Sequence, residues 1–95
     1  MGGTDFSVIK KGKTAQAAFV AAVEEARYNR GHSGYTGTIA EKRSFVEVAV
    51  PVSKDPYSFA SELSESDVRY EDKWGPALCV RLSEDTYMFF GVASC

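Results

Sequence analysis

Apolar residues recur at two spacings along this chain, and the change from one to the other marks its elements. Phe6, Val8 and Ile9 predict a short strand over 6–10, which Gly12-Lys13-Thr14 ends. From Ala15 to about Arg30 the spacing is helical. Ala15, Ala18, Phe19, Ala22, Val23 and Ala26 fall at i, i+3, i+4, i+7, i+8 and i+11, a single continuous face. Thr14 suits the N-cap, and Gly31 suits the residue just past the end. Arg27 and Arg30 sit in the last turn, where the helix dipole favours cations. The back of this helix carries Ala17, Val20 and Ala21. Such small residues admit the close approach of a second copy, or simply reflect alanine's helix propensity.

A glycine-rich stretch follows, Gly31-His32-Ser33-Gly34-Tyr35-Thr36-Gly37-Thr38, and Thr38-Ile39-Ala40 reads as a short strand or as the exit of that loop. The clearest strand runs from Phe45 to Val52, with Val46, Val48, Val50 and Val52 pointing one way. Asp55-Pro56 is a strong helix start, with a capping carboxylate and a proline at the first position. The helix runs to about Ser64, with Phe59 and Leu63 as an apolar pair; Ser64 to Lys73 is polar and acidic. Trp74-Gly75-Pro76 turns the chain into two last strands around a Ser83–Thr86 hairpin loop. In these, Leu78, Val80 and Leu82 alternate with Ala77, Cys79 and Arg81, then Met88, Phe90 and Val92 with Tyr87 and Phe89. The order is β-α-β-α-β-β. It predicts an α+β fold: a two-layer sandwich with a mostly antiparallel four-stranded sheet and helices on one face. The other face, half apolar through residues such as Phe45 and Phe89, would then be open to an interface.

Composition narrows the function classes. Ninety-five residues make one domain, 1–95. A net charge of −2 gives no global field to recruit nucleic acid or an acidic membrane. No direct nucleic-acid partner is expected. No apolar run approaches a membrane span or a secretory leader, and Cys79 and Cys95 lack a CxxC partner, so reduced thiols in a cytoplasmic protein are expected.

Three pieces carry a resemblance. They are Gly12-Lys13-Thr14-Ala15 with Ala18-Phe19, then Gly31-His32-Ser33-Gly34-Tyr35-Thr36-Gly37-Thr38-Ile39-Ala40-Glu41-Lys42, then Asp72-Lys73-Trp74-Gly75-Pro76-Ala77 with Phe89-Phe90-Gly91. Together they resemble small proteins carried by bacteriophages and related mobile elements, in which Gly-His-x-Gly-Tyr-Thr-Gly-Thr-Ile-Ala-Glu-Lys and Lys-Trp-Gly-Pro-Ala segments recur. The resemblance implies a phage origin and a role inside an infected bacterium. It implies no particular activity.

Catalytic constellations are thin. Gly12-Lys13-Thr14 mimics the end of a Walker A motif, but Ser7 stands where its first glycine belongs. Gly31-His32-Ser33-Gly34 is not a nucleophile elbow, because residue 35 is Tyr. The single histidine, His32, excludes a two-histidine phosphoesterase, and as a metal ligand it would need Glu25 or Glu41. No catalytic residue, metal or cofactor is therefore expected.

Binding is the better-supported class. Consecutive amides in a glycine-rich turn form an anion nest. Tyr35 can stack on a base, while Ser33, Thr36 and Thr38 can bond phosphate or ribose. Residues 27–43 hold Arg27, Arg30, Lys42 and Arg43 against Glu41 alone. The lysines at 10–13 lie about 25 Å of helix away from Arg30, so only a second, antiparallel copy would bring them close, which makes a homo-oligomer a further expectation. The expected ligand residues are His32, Ser33, Tyr35, Thr36, Thr38, Arg30 and Lys42, and the expected ligand is a nucleotide-type signal. A second expectation places a partner on Trp74, Lys73, Asp72 and Glu71, a tryptophan beside a turn and an acidic run that serves as an interface anchor or as a core lid, docking a host defence protein such as a CRISPR or other nuclease effector. A small enzyme acting on a nucleotide is the third. The function expected from sequence is thus a stoichiometric antagonist of bacterial defence.

Overall fold

The computed structural model describes residues 3–30 and 38–94. β1 (Gly3–Lys11) is followed by α1 (Ala15–Arg30), a 3₁₀ turn (Ile39–Glu41), β2 (Phe45–Glu47), α2 (Pro56–Ser66), α3 (Val68–Glu71), β3 (Ala77–Ser83) and β4 (Thr86–Ser94). The start signals act as their chemistry requires. Thr14 Oγ1 accepts the Ala17 N–H at 3.1 Å, and Asp55 Oδ2 accepts the Ser58 N–H at 3.0 Å, with Pro56 at the first helical position. Gly12 is needed for closeness: a Cβ there would lie 2.6 Å from the Ala18 nitrogen, inside the first turn of α1.

The sheet has the order β1-β4-β3-β2. β1 pairs antiparallel with β4 from Gly3↔Ser94 to Lys11↔Thr86. β3 and β4 form the expected hairpin, and β2 runs parallel to β3 with Phe45 opposite Ala77. The α+β class and the mostly antiparallel sheet therefore stand, as an open, mixed sheet.

The helices do not share one face. α1 packs through Ala18, Phe19, Ala22 and Val23 on the face of Ala77, Cys79, Tyr87 and Phe89. α2 packs through Ala60, Phe59 and Leu63 on the opposite face, of Leu78, Val80, Met88 and Phe90. The result is three layers instead of two. Chain handedness explains it. β1 to β2 crosses the sheet from one edge to the other, and β2 to β3 comes part of the way back. Crossovers between parallel strands are right-handed with few exceptions, so two that travel in opposite directions must use opposite faces. The face expected to be open is filled by an aromatic triad: Phe19, Phe45 and Phe89 have ring centroids 5.1–5.6 Å apart.

β2 also stops earlier than the valine alternation predicts. Val48 donates one more hydrogen bond, to the Cys79 carbonyl at 2.8 Å, and the chain then leaves the sheet. Val48 and Val50 still pack on the α2 side, whereas Val52 projects into solvent. An edge strand is held from one side only, so little keeps the chain in the sheet beyond Val48, and Pro51 has no N–H with which to resume the ladder. Among the described residues no helix is long and apolar enough to cross a membrane.

The packing generates a contrast. Phe89→Ala, at a site with no exposed surface, is expected to lower unfolding stability by about 3–5 kcal/mol in urea melts. Val52→Ala should change it by less than about 0.5 kcal/mol, although both residues belong to strong strand patterns in the sequence.

Candidate ligand groove beside Lys42

The segment that leads into β2 is built around one inward side chain. Thr38 caps the 3₁₀ turn, its hydroxyl accepting the Ala40 N–H at 3.2 Å and its carbonyl the Glu41 N–H at 3.0 Å. Ile39, 3 % exposed, anchors the turn in the core beneath α1. Lys42 then donates its N–H to the Ile39 carbonyl, and its side chain runs inward until the residue is only 3 % exposed. Its Nζ lies 3.0 Å from the Gly75 carbonyl, 3.1 Å from that of Asp72 and 3.4 Å from that of Lys73. An ammonium has three N–H donors, and three carbonyls converge on this one. Burial lowers the pKa of this amine, while the Asp72 carboxylate pulls it the other way.

The receiving turn is shaped for that contact. Asp72 Oδ1 accepts the Trp74 N–H at 3.1 Å, and the Asp72 carbonyl accepts the Gly75 N–H at 3.1 Å. A Cβ on Gly75 would stand 2.7 Å from Asp72 Oδ2, so any side chain there would displace the Asp72 carboxylate. The same turn sends Trp74 outward, 64 % exposed, with the Lys73 ammonium 5.5 Å from its ring centroid.

Beside this turn, between α1 and residues 40–43, lies an open groove of about 860 Å³. Gln16, Val20, Glu24 and Arg27 form its helical wall; Arg43 and Trp74 border it across from the helix's own chain segment. The helical wall is the stripe at i, i+4, i+8 and i+11 next to the buried stripe. Val20, read from sequence as part of a small-residue back surface, belongs to this wall and is 42 % exposed. Among the described residues neither Arg27 nor Arg43 makes a salt bridge.

The sequence-derived site residues fall as follows. His32, Ser33, Tyr35 and Thr36 lie outside the described residues, as does the side chain of Arg30. Thr38 spends its hydroxyl on the cap. Lys42 borders the groove, but its three donors are already directed at the 72–75 turn, so it positions the site and offers no ammonium to a ligand. Asp72 is likewise engaged in the turn, Lys73 sits over Trp74, and Glu71 is exposed at the end of α3. Lys42 of the first set thus meets Asp72 and Lys73 of the second at one place. Arg27, Arg43, Val20, Gln16 and Glu24 were not named as site residues. The stripe Gln16-Val20-Glu24-Arg27 was visible in the sequence, but nothing in it showed that residues 40–43 would lie alongside.

Among the described residues no cluster of three or more His, Cys, Asp or Glu side chains could hold a metal ion. Cys79 is buried beneath α1, and burial, with Glu47 adding to it, pushes its thiol up to about 12, so it stays protonated at neutral pH.

Lys42→Met should cost roughly 2–3 kcal/mol of stability, because three carbonyls lose a charged donor while the methionine still fills the space. Trp74 fluorescence anisotropy should fall at the same time. An unchanged urea midpoint and unchanged anisotropy would mean that the contact holds nothing in place. No family model, no curated protein and no solved structure matches this chain.

Proposed function

We propose that this protein acts by stoichiometric binding, as a phage accessory protein that antagonises a bacterial defence by sequestering a nucleotide-type signal in the groove beside Lys42. The observation that carries the reading is an exposed Trp74 on a turn fixed from beneath, bordering a groove that also holds Arg27 and Arg43. About 860 Å³ falls within the roughly 300–1,000 Å³ usual for small-molecule sites. A tryptophan face stacks on a base, at about 1–3 kcal/mol. A guanidinium that is not engaged in an ion pair can bond phosphate oxygens in pairs. Glu24 and Glu41 on the same walls keep the groove close to neutral, which favours a ligand with few phosphates over a long polyanion.

A second reading rests on the same exposed pair. Trp74 and Val20 together give an apolar contact surface of the kind that anchors a protein partner, here a host defence protein such as a nuclease effector.

A thermal-shift series with nucleotides, cyclic oligonucleotides and nicotinamide-type dinucleotides separates the readings. A ligand at about a hundred times its Kd adds about 2.7 kcal/mol, more than ten degrees in Tm at roughly 4–8 °C per kcal/mol. The expected result is such a shift with one compound class, lost in an Arg27→Ala, Arg43→Ala double variant and in Trp74→Ala. No shift with any compound contradicts signal binding. Retention of host-protein capture by the double arginine variant, with its loss in Trp74→Ala, would establish docking instead. Product exceeding one equivalent per chain would contradict both.

A further inference from the structure

The sheet ends at one side in a long strand that carries self-complementary charge. β1 spans nine residues, pairs with β4 along its whole length, and has no partner on its outer side among the described residues. The opposite edge, β2, is three residues long. Free edges of this length invite another strand, and folds blunt them with charges or bulges. β1 is regularly paired, and its charges lie only towards the ends: Asp5 near one end, Lys10 and Lys11 at the other. Lys10 is tied to Glu25 of α1. Lys11 makes no ion pair among the described residues. Ile9, at the end of the apolar stretch that begins at Phe6, is 48 % exposed.

We infer that β1 is an interaction surface for a second copy of this chain, pairing antiparallel across a two-fold axis centred on Val8. Symmetry restricts the register. A two-fold axis perpendicular to the sheet maps each face onto itself, so directly opposed residues must come from the same face of the strand. The register centred on Val8 then sets Val8 against Val8, Ser7 against Ile9, Phe6 against Lys10 and Asp5 against Lys11 of the other copy. Both unlike-charge pairs form at once, one on each side of the axis. Parallel pairing would instead set Asp5 on Asp5 and the lysines on lysines. The register centred on Ser7 would leave Asp5 opposite Ile9. Cross-strand unlike charges stabilise and like charges destabilise, so the strand selects the Val8-centred arrangement. An eight-stranded sheet results, with β2 of each copy at its outer edges. This surface lies at the opposite side of the sheet from β2 and does not depend on the groove reading.

Sedimentation velocity over a wide concentration range tests it. The wild-type chain should form dimers, more tightly at low salt. Lys11→Glu should weaken dimerisation by roughly tenfold, since it replaces two attractive contacts with two repulsive ones. The swap Asp5→Lys with Lys11→Asp should restore it, provided circular dichroism shows the variants folded. Asp5 also accepts a hydrogen bond from Tyr70, so Lys11→Glu is the cleaner single change. Hydrogen exchange on the wild-type chain supplies a readout without mutation: amides of residues 3–11 should exchange more slowly at high than at low protein concentration. A chain that stays monomeric throughout, a dimer indifferent to Lys11→Glu, a swap that fails to restore pairing in a folded chain, or exchange in 3–11 independent of concentration would each overturn the proposal.

Discussion

Everything at the candidate site depends on the ammonium of Lys42 reaching the carbonyls of Asp72, Lys73 and Gly75. Burying a lysine costs several kcal/mol of lost hydration, and only a full set of acceptors offsets that. The acceptors are assembled by a turn whose own bonds run through Asp72, beside whose carboxylate Gly75 leaves room. The contact joins positions thirty apart in sequence just before their chains become neighbours in the sheet. Ala77 donates to the Ser44 carbonyl at 3.0 Å, and Phe45 pairs with Ala77. The Lys42 contact therefore sits at the mouth of the β2–β3 parallel pair and helps to set its register. It also fixes the base of Trp74, which gives the groove a rigid rim.

Around that contact the fold resolves a problem of coverage. β3 and β4 present bulky apolar residues on both faces, Ala77 through Val80 and Tyr87 through Phe90 all being buried. Such runs belong to strands covered on two sides. α1 and α2 supply the two covers, and the reversal in the direction of the crossovers places them there. One outward stripe of α1, Gln16-Val20-Glu24-Arg27, then faces residues 40–43 and becomes the groove wall.

Much of this was legible from the residues. The span of α1, the caps at Thr14 and Asp55, and the hairpin between β3 and β4 follow from local periodicity and capping chemistry, which act within a few positions. The placement of α1 and α2 on opposite faces was not read. The signal was present, since Tyr87-Met88-Phe89-Phe90 is a continuous apolar run, but its alternating members were assigned to one covered face and one open face. β2 was read too long because Val50 and Val52 keep the alternation after the chain has turned away. Lys42 takes a different part in the fold from the one its neighbours in sequence suggest. A lysine near arginines in sequence reads as part of a basic patch, and nothing local reveals three carbonyls arriving from residues 72–75. The glycine-rich stretch 31–37 carries most of the ligand residues named from sequence and lies outside the described residues, so the groove account rests on α1, Arg43 and Trp74.

The central claim, that Lys42 is a buried donor binding the 72–75 turn, is open to direct observation. In uniformly labelled protein, nuclear magnetic resonance can detect couplings across hydrogen bonds from a lysine Nζ to carbonyl carbons, and the rate at which its protons exchange with water. The expected result is one slowly exchanging ammonium, that of Lys42, coupled to the carbonyl carbons of Gly75 and Asp72. An ammonium of Lys42 that exchanges as fast as those of the exposed lysines, with no coupling to that turn, would contradict the account.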